Sequence, residues 1–332
     1  FYWVAKCLGS HPSQISDGLD EEFLLTYTKY IKAQASFGLS TVKTLNRALR
    51  TFSDLLNKNR VAMALEGEAQ ALMEEVTHSL LEASMQRLQR RHQHLSLGDL
   101  TQLLAVFARL FRPSYMPLFE SAASYVEDFA ADGRIARSEK WRHDFFKQIP
   151  FTLMAYAKVK CSHEAVFSSC MQVLESNLSE LEYDGVALVA WAVATVAVDR
   201  PRLWPLIIEE VRDLPHRWSI HAFGLLLAAA RRELLRIDKN AGHRPALLEL
   251  ASLVSQDVLK RPNQVSFHEA TEILGCLAVC PVYFIKKHMD VLQLACTVVV
   301  AIPGEFPPSY LPGNFRNIVA LQLLLRPAMA EA

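Results

Sequence analysis

Between Asp184 and Asp199 the chain reads G-V-A-L-V-A-W-A-V-A-T-V-A-V, and the 13 residues from Val186 to Val198 carry no charge. A stretch this apolar must be covered on nearly every side. The aspartates that close it leave it short of the roughly 20 apolar residues a membrane helix needs, so it is expected to be a helix buried among other helices. Its apolar face begins at Leu181 and ends in an aromatic followed by alanine, Trp191-Ala192. The same cadence recurs at Phe107-Ala108 and Tyr156-Ala157. A helix that recurs points to an array of repeated units.

Several stretches follow one template. Ser40 is a candidate N-cap for a stripe of Val42, Leu45, Ala48, Leu49, Phe52 and Leu55, which share one face of a helix. Ser96 precedes Leu97, Leu100, Leu103, Leu104, Phe107 and Leu110 in the same way. Further copies are expected over residues 149–159, 181–198, 220–234 and 267–278, with partner helices over 62–91, 118–129, 163–178, 206–214, 245–259 and 284–299.

The small residue of the cadence provides an anchor. Ser53, Ala108, Ala157, Ala192, Ala229 and Ala278 stand 55, 49, 35, 37 and 49 residues apart. The two shortest intervals define a unit of about 35–37 residues. The excess in the others is assigned to an overlong helix ending near Arg91, a charged connector over 132–142 and an insertion in R-R-E-L-L-R-I-D-K-N from Arg231. The expected fold is all-α, an α-solenoid of stacked antiparallel helix pairs. Unrelated amphipathic helices in an irregular bundle give similar spacing and stand as the alternative. Residues 1–38 are read as an N-terminal segment with a capping helix over 20–32, and 39–302 as the array. Residues 303–332 are read as a Pro-rich loop with a short last helix over 317–325.

Charge and motifs narrow the function. The 35 basic and 35 acidic residues cancel, so no global field recruits a polyanion and any such binding must be local. No nucleophile elbow, P-loop, HExxH or dinucleotide fingerprint is present, and the 12 glycines do not cluster. Cys276 and Cys280 share a helical face but are read as small core hydrophobes. His92, His94, His216, His221 and the pair Cys161 and His163 lack the partners a metal requires. Glu74-Glu75 and Glu209-Glu210 read as solvated faces. No catalytic role, cofactor or metal is expected.

Four basic clusters are the functional lead. Lys43, Arg47 and Arg50 lie opposite an apolar stripe, where a phosphate backbone could cross them. Arg87, Arg90 and Arg91 form a second cluster, Arg134, Arg137, Lys140 and Arg142 a third, and Arg231, Arg232 and Arg236 a fourth. A solvated surface is the alternative for each.

The run L-S-L-G-D-L-T-Q-L-L-A-V-F-A-R-L, with F-T-L-M-A-Y-A-K-V and V-A-L-V-A-W-A-V-A, resembles the helical repeats of about 37 residues in heptatricopeptide and octotricopeptide proteins. It is similar also to the repeats of FAST-kinase-like and RAP-domain proteins. The resemblance covers residues 39–301, and no RAP-like domain is seen. It implies an organellar RNA-binding protein in the mitochondrial matrix, a structural component of a ribosome contacting rRNA phosphates and neighbouring proteins. The alternative is a scaffold subunit of a large organellar complex without direct RNA contact.

Overall fold

A computed structural model describes Lys29 and residues 68–89, 95–109, 115–238 and 241–301. Among these the regular elements are all helical, as the periodicity requires. The stripe over 42–55 with Ser53, the last helix over 317–325 and the Pro-rich stretch from Pro303 lie outside the described residues, as does the helix over 20–32 apart from Lys29, which is helical. No described helix is long and apolar enough to cross a membrane. The chain divides into two compact units, Phe1–Gln148 and Ile149–Ala332.

In the first unit α1 is Glu68–Gln89, α2 Leu97–Arg109 and α3 Met116–Ala131. Ser96 caps α2 as expected: its Oγ accepts the Asp99 N–H at 3.1 Å. Leu97, Leu100, Leu103, Leu104 and Phe107 are buried, and α3 packs on α1 and α2. The Phe107 ring meets Tyr115 edge-on at 5.3 Å.

The expected connector over 132–142 is instead largely helical. Asp132 Oδ1 accepts the Arg134 N–H at 2.9 Å and starts a single turn, α4, Arg134–Arg137. Helix α5 follows at once, Glu139–Lys158, ten residues ahead of the expected start at Ile149. It passes through Pro150, which has no N–H to give the ladder. Burial of Phe145, Phe146, Ile149, Leu153 and Tyr156 at helical spacing offsets that loss. The helix ends in a left-handed residue, Lys160 (φ 56°), with Cys161 N–H on Tyr156 O and Lys160 N–H on Ala157 O, a Schellman motif.

The second unit holds α6 Glu164–Glu175, α7 Tyr183–Val196, α8 Leu203–Asp213 and α9 Ile220–Arg236. It continues with α10 Arg244–Leu259, α11 Phe267–Leu277, α12 Val282–Lys287 and α13 Met289–Ala301. Helix α9 packs between α7 and α11, and α11 packs on α13. Helix α10 packs on α8, α9 and α13. Thus α7, α9 and α11 lie side by side, with α10 against α9, α13 against α11 and α8 against α10.

The physical cause of this row is the smallness of its seams. Ala187, Ala190, Ala192 and Val193 of α7 are buried, as are Ala222, Ala229 and Ala230 of α9, and small side chains let helix backbones approach. At Gly224 of α9 an added Cβ would stand 3.1 Å from Glu269 Cγ of α11.

Each helix of the row is entered identically. A single 3-10 turn, Leu178–Glu180, Pro215–Arg217 or Pro262–Gln264, leads to a buried residue, Leu181, Trp218 or Val265. These are 37 residues apart (181 to 218) and 47 apart (218 to 265). The longer interval is not a looped insertion at Arg231. Helix α9 has 17 residues against 14 in α7, and α10 has 16 against 11 in α8, so helix extension takes up most of the excess.

The partner helix expected over 284–299 is broken at His288, whose backbone leaves the helix (φ −117°, ψ 34°). Its N–H is shared between Phe284 O and Ile285 O, and its buried ring lies 4.5 Å from that of Phe284.

Candidate functional site

The basic clusters meet different fates. Lys43, Arg47, Arg50, Arg90 and Arg91 lie outside the described residues, and of Arg87 only the backbone, in α1, is described. Arg137 and Lys140 are exposed on α4 and α5, and Arg142 is half-buried.

Two members of the fourth cluster, Arg231 and Arg232, face inward into seams of the row. The Arg231 guanidinium crosses Gly275 of α11, where an added Cβ would come within 2.5 Å of it, and reaches Glu272 at 4.0 Å. Arg232 lies 5.2 Å from the Trp191 ring of α7, and burial there lowers its pKa against the opposing charge of Glu272. Arg236 donates to Glu233 at 2.7 Å. The apolar stems of Arg231 and Arg232 thus cover neighbouring helices, while Arg236 stays exposed. Glu233 itself is 1% exposed, with Oε1 lacking a partner; burial pushes its carboxyl up while Arg236 opposes the shift.

The third cluster opens on a groove of about 530 Å³ in the first unit, between α3 and α5 and beside the first turn of α2. Arg134 stands over the Trp141 ring, 3.6 Å from its centroid, and its Nε donates to Asp132 Oδ2 at 2.7 Å. The Arg134 guanidinium and, after it, the Arg134 backbone N–H, both donating to Asp132, hold its carboxyl below its ordinary value. Nothing in E-K-W-R-H marks Trp141 as part of a site. It stands seven residues after Arg134 across a stretch that reads as a connector, so periodicity gives no sign that the two meet.

A second groove, of about 670 Å³, lies between α6 and α8 in the second unit. Arg200 and Arg202 line it with Glu175 and the polar face of α6, Ser168, Gln172 and Ser176. Arg200 is oriented by its Nη2, which donates to Ser168 Oγ at 2.7 Å. Its buried Nε has no partner, and neither has Glu175 Oε1. Sequence periodicity passes over Arg200 and Arg202 because D-R-P-R follows the end of an apolar helix and belongs to no stripe. The available signal was two arginines flanking a proline beside a helix start.

Among the described residues no group of three or more His, Cys, Asp or Glu could hold a metal ion. Cys276 and Cys280 are buried, and the Cys280 thiol donates to Cys276 O at 3.3 Å. Interaction with Cys280, together with burial, raises the Cys276 pKa well above the usual thiol value.

No protein-family profile matches the chain, and no curated protein matches it at a significant level.

Proposed function

We propose that this chain is a non-enzymatic helical-repeat protein whose helix pairs stack as an α-solenoid and which binds RNA through its phosphates. The row α7, α9, α11, each entered through the same 3-10 turn and buried residue, supports the stacked unit of about 35–37 residues. Its neutral total charge means that the polyanion is met locally.

The observation that carries the RNA reading is the α6–α8 groove. Two arginines and one glutamate line it, an excess of positive charge. Arg200 is already oriented by Ser168, and with the exposed Arg202 it gives the groove two guanidinium groups, the groups that hold a phosphate oxygen by charge-assisted hydrogen bonds. The resemblance to heptatricopeptide and octotricopeptide repeats extends this to a mitochondrial, ribosome-associated setting in which the RNA is rRNA. Replacing Arg200 and Arg202 together by Gln is expected to weaken single-stranded RNA binding about tenfold or more. Undiminished affinity contradicts the assignment.

A second reading, a protein scaffold without RNA contact, is favoured by a specific observation. Arg231, Arg232 and Arg236 are committed to contacts within the chain, while Val282, Tyr283 and Met289 are exposed near the end of the described helices. An intact chain that retains protein partners but no RNA at low salt identifies that reading.

A further inference from the structure

The groove of the first unit carries chemistry that phosphate binding does not use. Asp128, Asp132 and Asp144 line it together with two cations, Arg134 and Lys140. Its aromatic wall is Trp141, with the Phe129 ring 5.9 Å away. Carboxylates in excess beside an aromatic face repel a phosphate and attract a cation.

One cation of the chain is already seated as a ligand would be. The Arg134 guanidinium stands 3.6 Å from the Trp141 ring centroid and donates to Asp132. A ring face on one side and a carboxylate at the edge are the two contacts that recognise a guanidinium. Arg134 comes from α4, a four-residue turn with no buried residue, and its own side chain is 58% exposed. Little packing holds it in place. Without it, the groove would present three carboxylates and a single lysine around an indole ring.

We propose that this groove docks an arginine side chain of a partner polypeptide against Trp141 and Asp132, and that Arg134 fills the same position from within the chain until the partner displaces it. The occupant follows from charge complementarity and from the guanidinium already there. An intramolecular competitor acts at an effective concentration on the order of millimolar, so the parent chain binds such a partner weakly and its removal exposes the site.

The test uses the full chain and the peptide acetyl-Gly-Arg-Gly-Arg-Gly-amide, titrated by calorimetry. Arg134→Gln is expected to bind it about tenfold more tightly than the parent. Lys140→Gln removes the same charge without opening the ring and is expected to change affinity only about twofold. Adding Asp132→Asn to Arg134→Gln should abolish the gain. Arg134 is exposed, so unchanged circular dichroism is expected of its variant. Equal or weaker binding by Arg134→Gln overturns the proposal, as does an equal gain in Lys140→Gln. If Arg134→Gln instead lowers affinity for single-stranded RNA and leaves the peptide unbound, Arg134 is a phosphate contact and the proposal fails.

Discussion

Ser219 Oγ donates to Asp184 Oδ1 at 2.7 Å while accepting the Ala222 N–H at 2.9 Å. One hydroxyl therefore caps α9 and fastens it to α7. Ser219→Ala should cost about 1–2 kcal/mol, more than an isolated cap. A double-mutant cycle with Asp184→Ala, followed by urea unfolding, should return a coupling of about 0.5–1 kcal/mol. Zero coupling would mean that the two helices are not joined there.

The C-terminus of α7 stores a small strain. Ala197 is left-handed at φ 60°, its N–H bonded to Val193 O, and Val198 N–H bonds the same carbonyl. A Cβ at such a position is unfavourable, and glycine takes it without strain. Ala197→Gly is expected to raise stability by about 0.5–1 kcal/mol, read as an upward shift in thermal midpoint. A lower midpoint would contradict the cap assignment.

Ala192 is fully buried in the middle of α7, beside Trp191, over which Arg232 of α9 lies. A carboxylate at that seam has neither room nor partner. Ala192→Asp should destabilise the chain by more than about 4 kcal/mol, seen as loss of the cooperative unfolding transition. Retention of a cooperative transition near the parent's midpoint would contradict the packed row.

His288 links stability to pH. Burial, aided by the Lys287 charge, lowers its pKa below the ordinary 6.5, and its buried Nε2 has no partner. The folded chain therefore binds fewer protons there than the unfolded chain as pH falls through about 6.5, so stability declines with acid. Glu233 is raised above its ordinary 4.5 and contributes the opposite slope, losing stability as pH rises from that value. His288→Asn should flatten the parent's decline between about pH 7.5 and 5.5 in urea-unfolding midpoints. An unchanged slope would show that His288 does not carry it.

Much of the helical order was legible in the sequence because it rests on local signals. The stripe Leu97, Leu100, Leu103, Leu104 and Phe107 behind Ser96 became α2 with its cap, and the uncharged stretch around Trp191 became α7. What was misread depends on tertiary context. Pro150 and the charges over 132–142 look like breakers, yet residues 134–137 form α4 and buried aromatics carry α5 from Glu139 through Pro150. Arg231, Arg232 and Arg236 have the spacing of an exposed face, but α9 is covered by α7 and α11, so the stems of Arg231 and Arg232 lie in seams and only Arg236 stays exposed. Arg200, Arg202 and Trp141 acquire their surroundings only when separate helices come together, and no periodicity marks them.

The most direct test of the central claim is retention of single-stranded RNA by the purified chain across a salt series from about 50 to 200 mM. Phosphate contacts by arginine predict that log K falls linearly with log salt, by about 0.7 per phosphate engaged, and that Arg200→Gln with Arg202→Gln reduces the slope by about 1 to 2. Binding that is absent at 50 mM, or that does not weaken as salt rises, would contradict the claim.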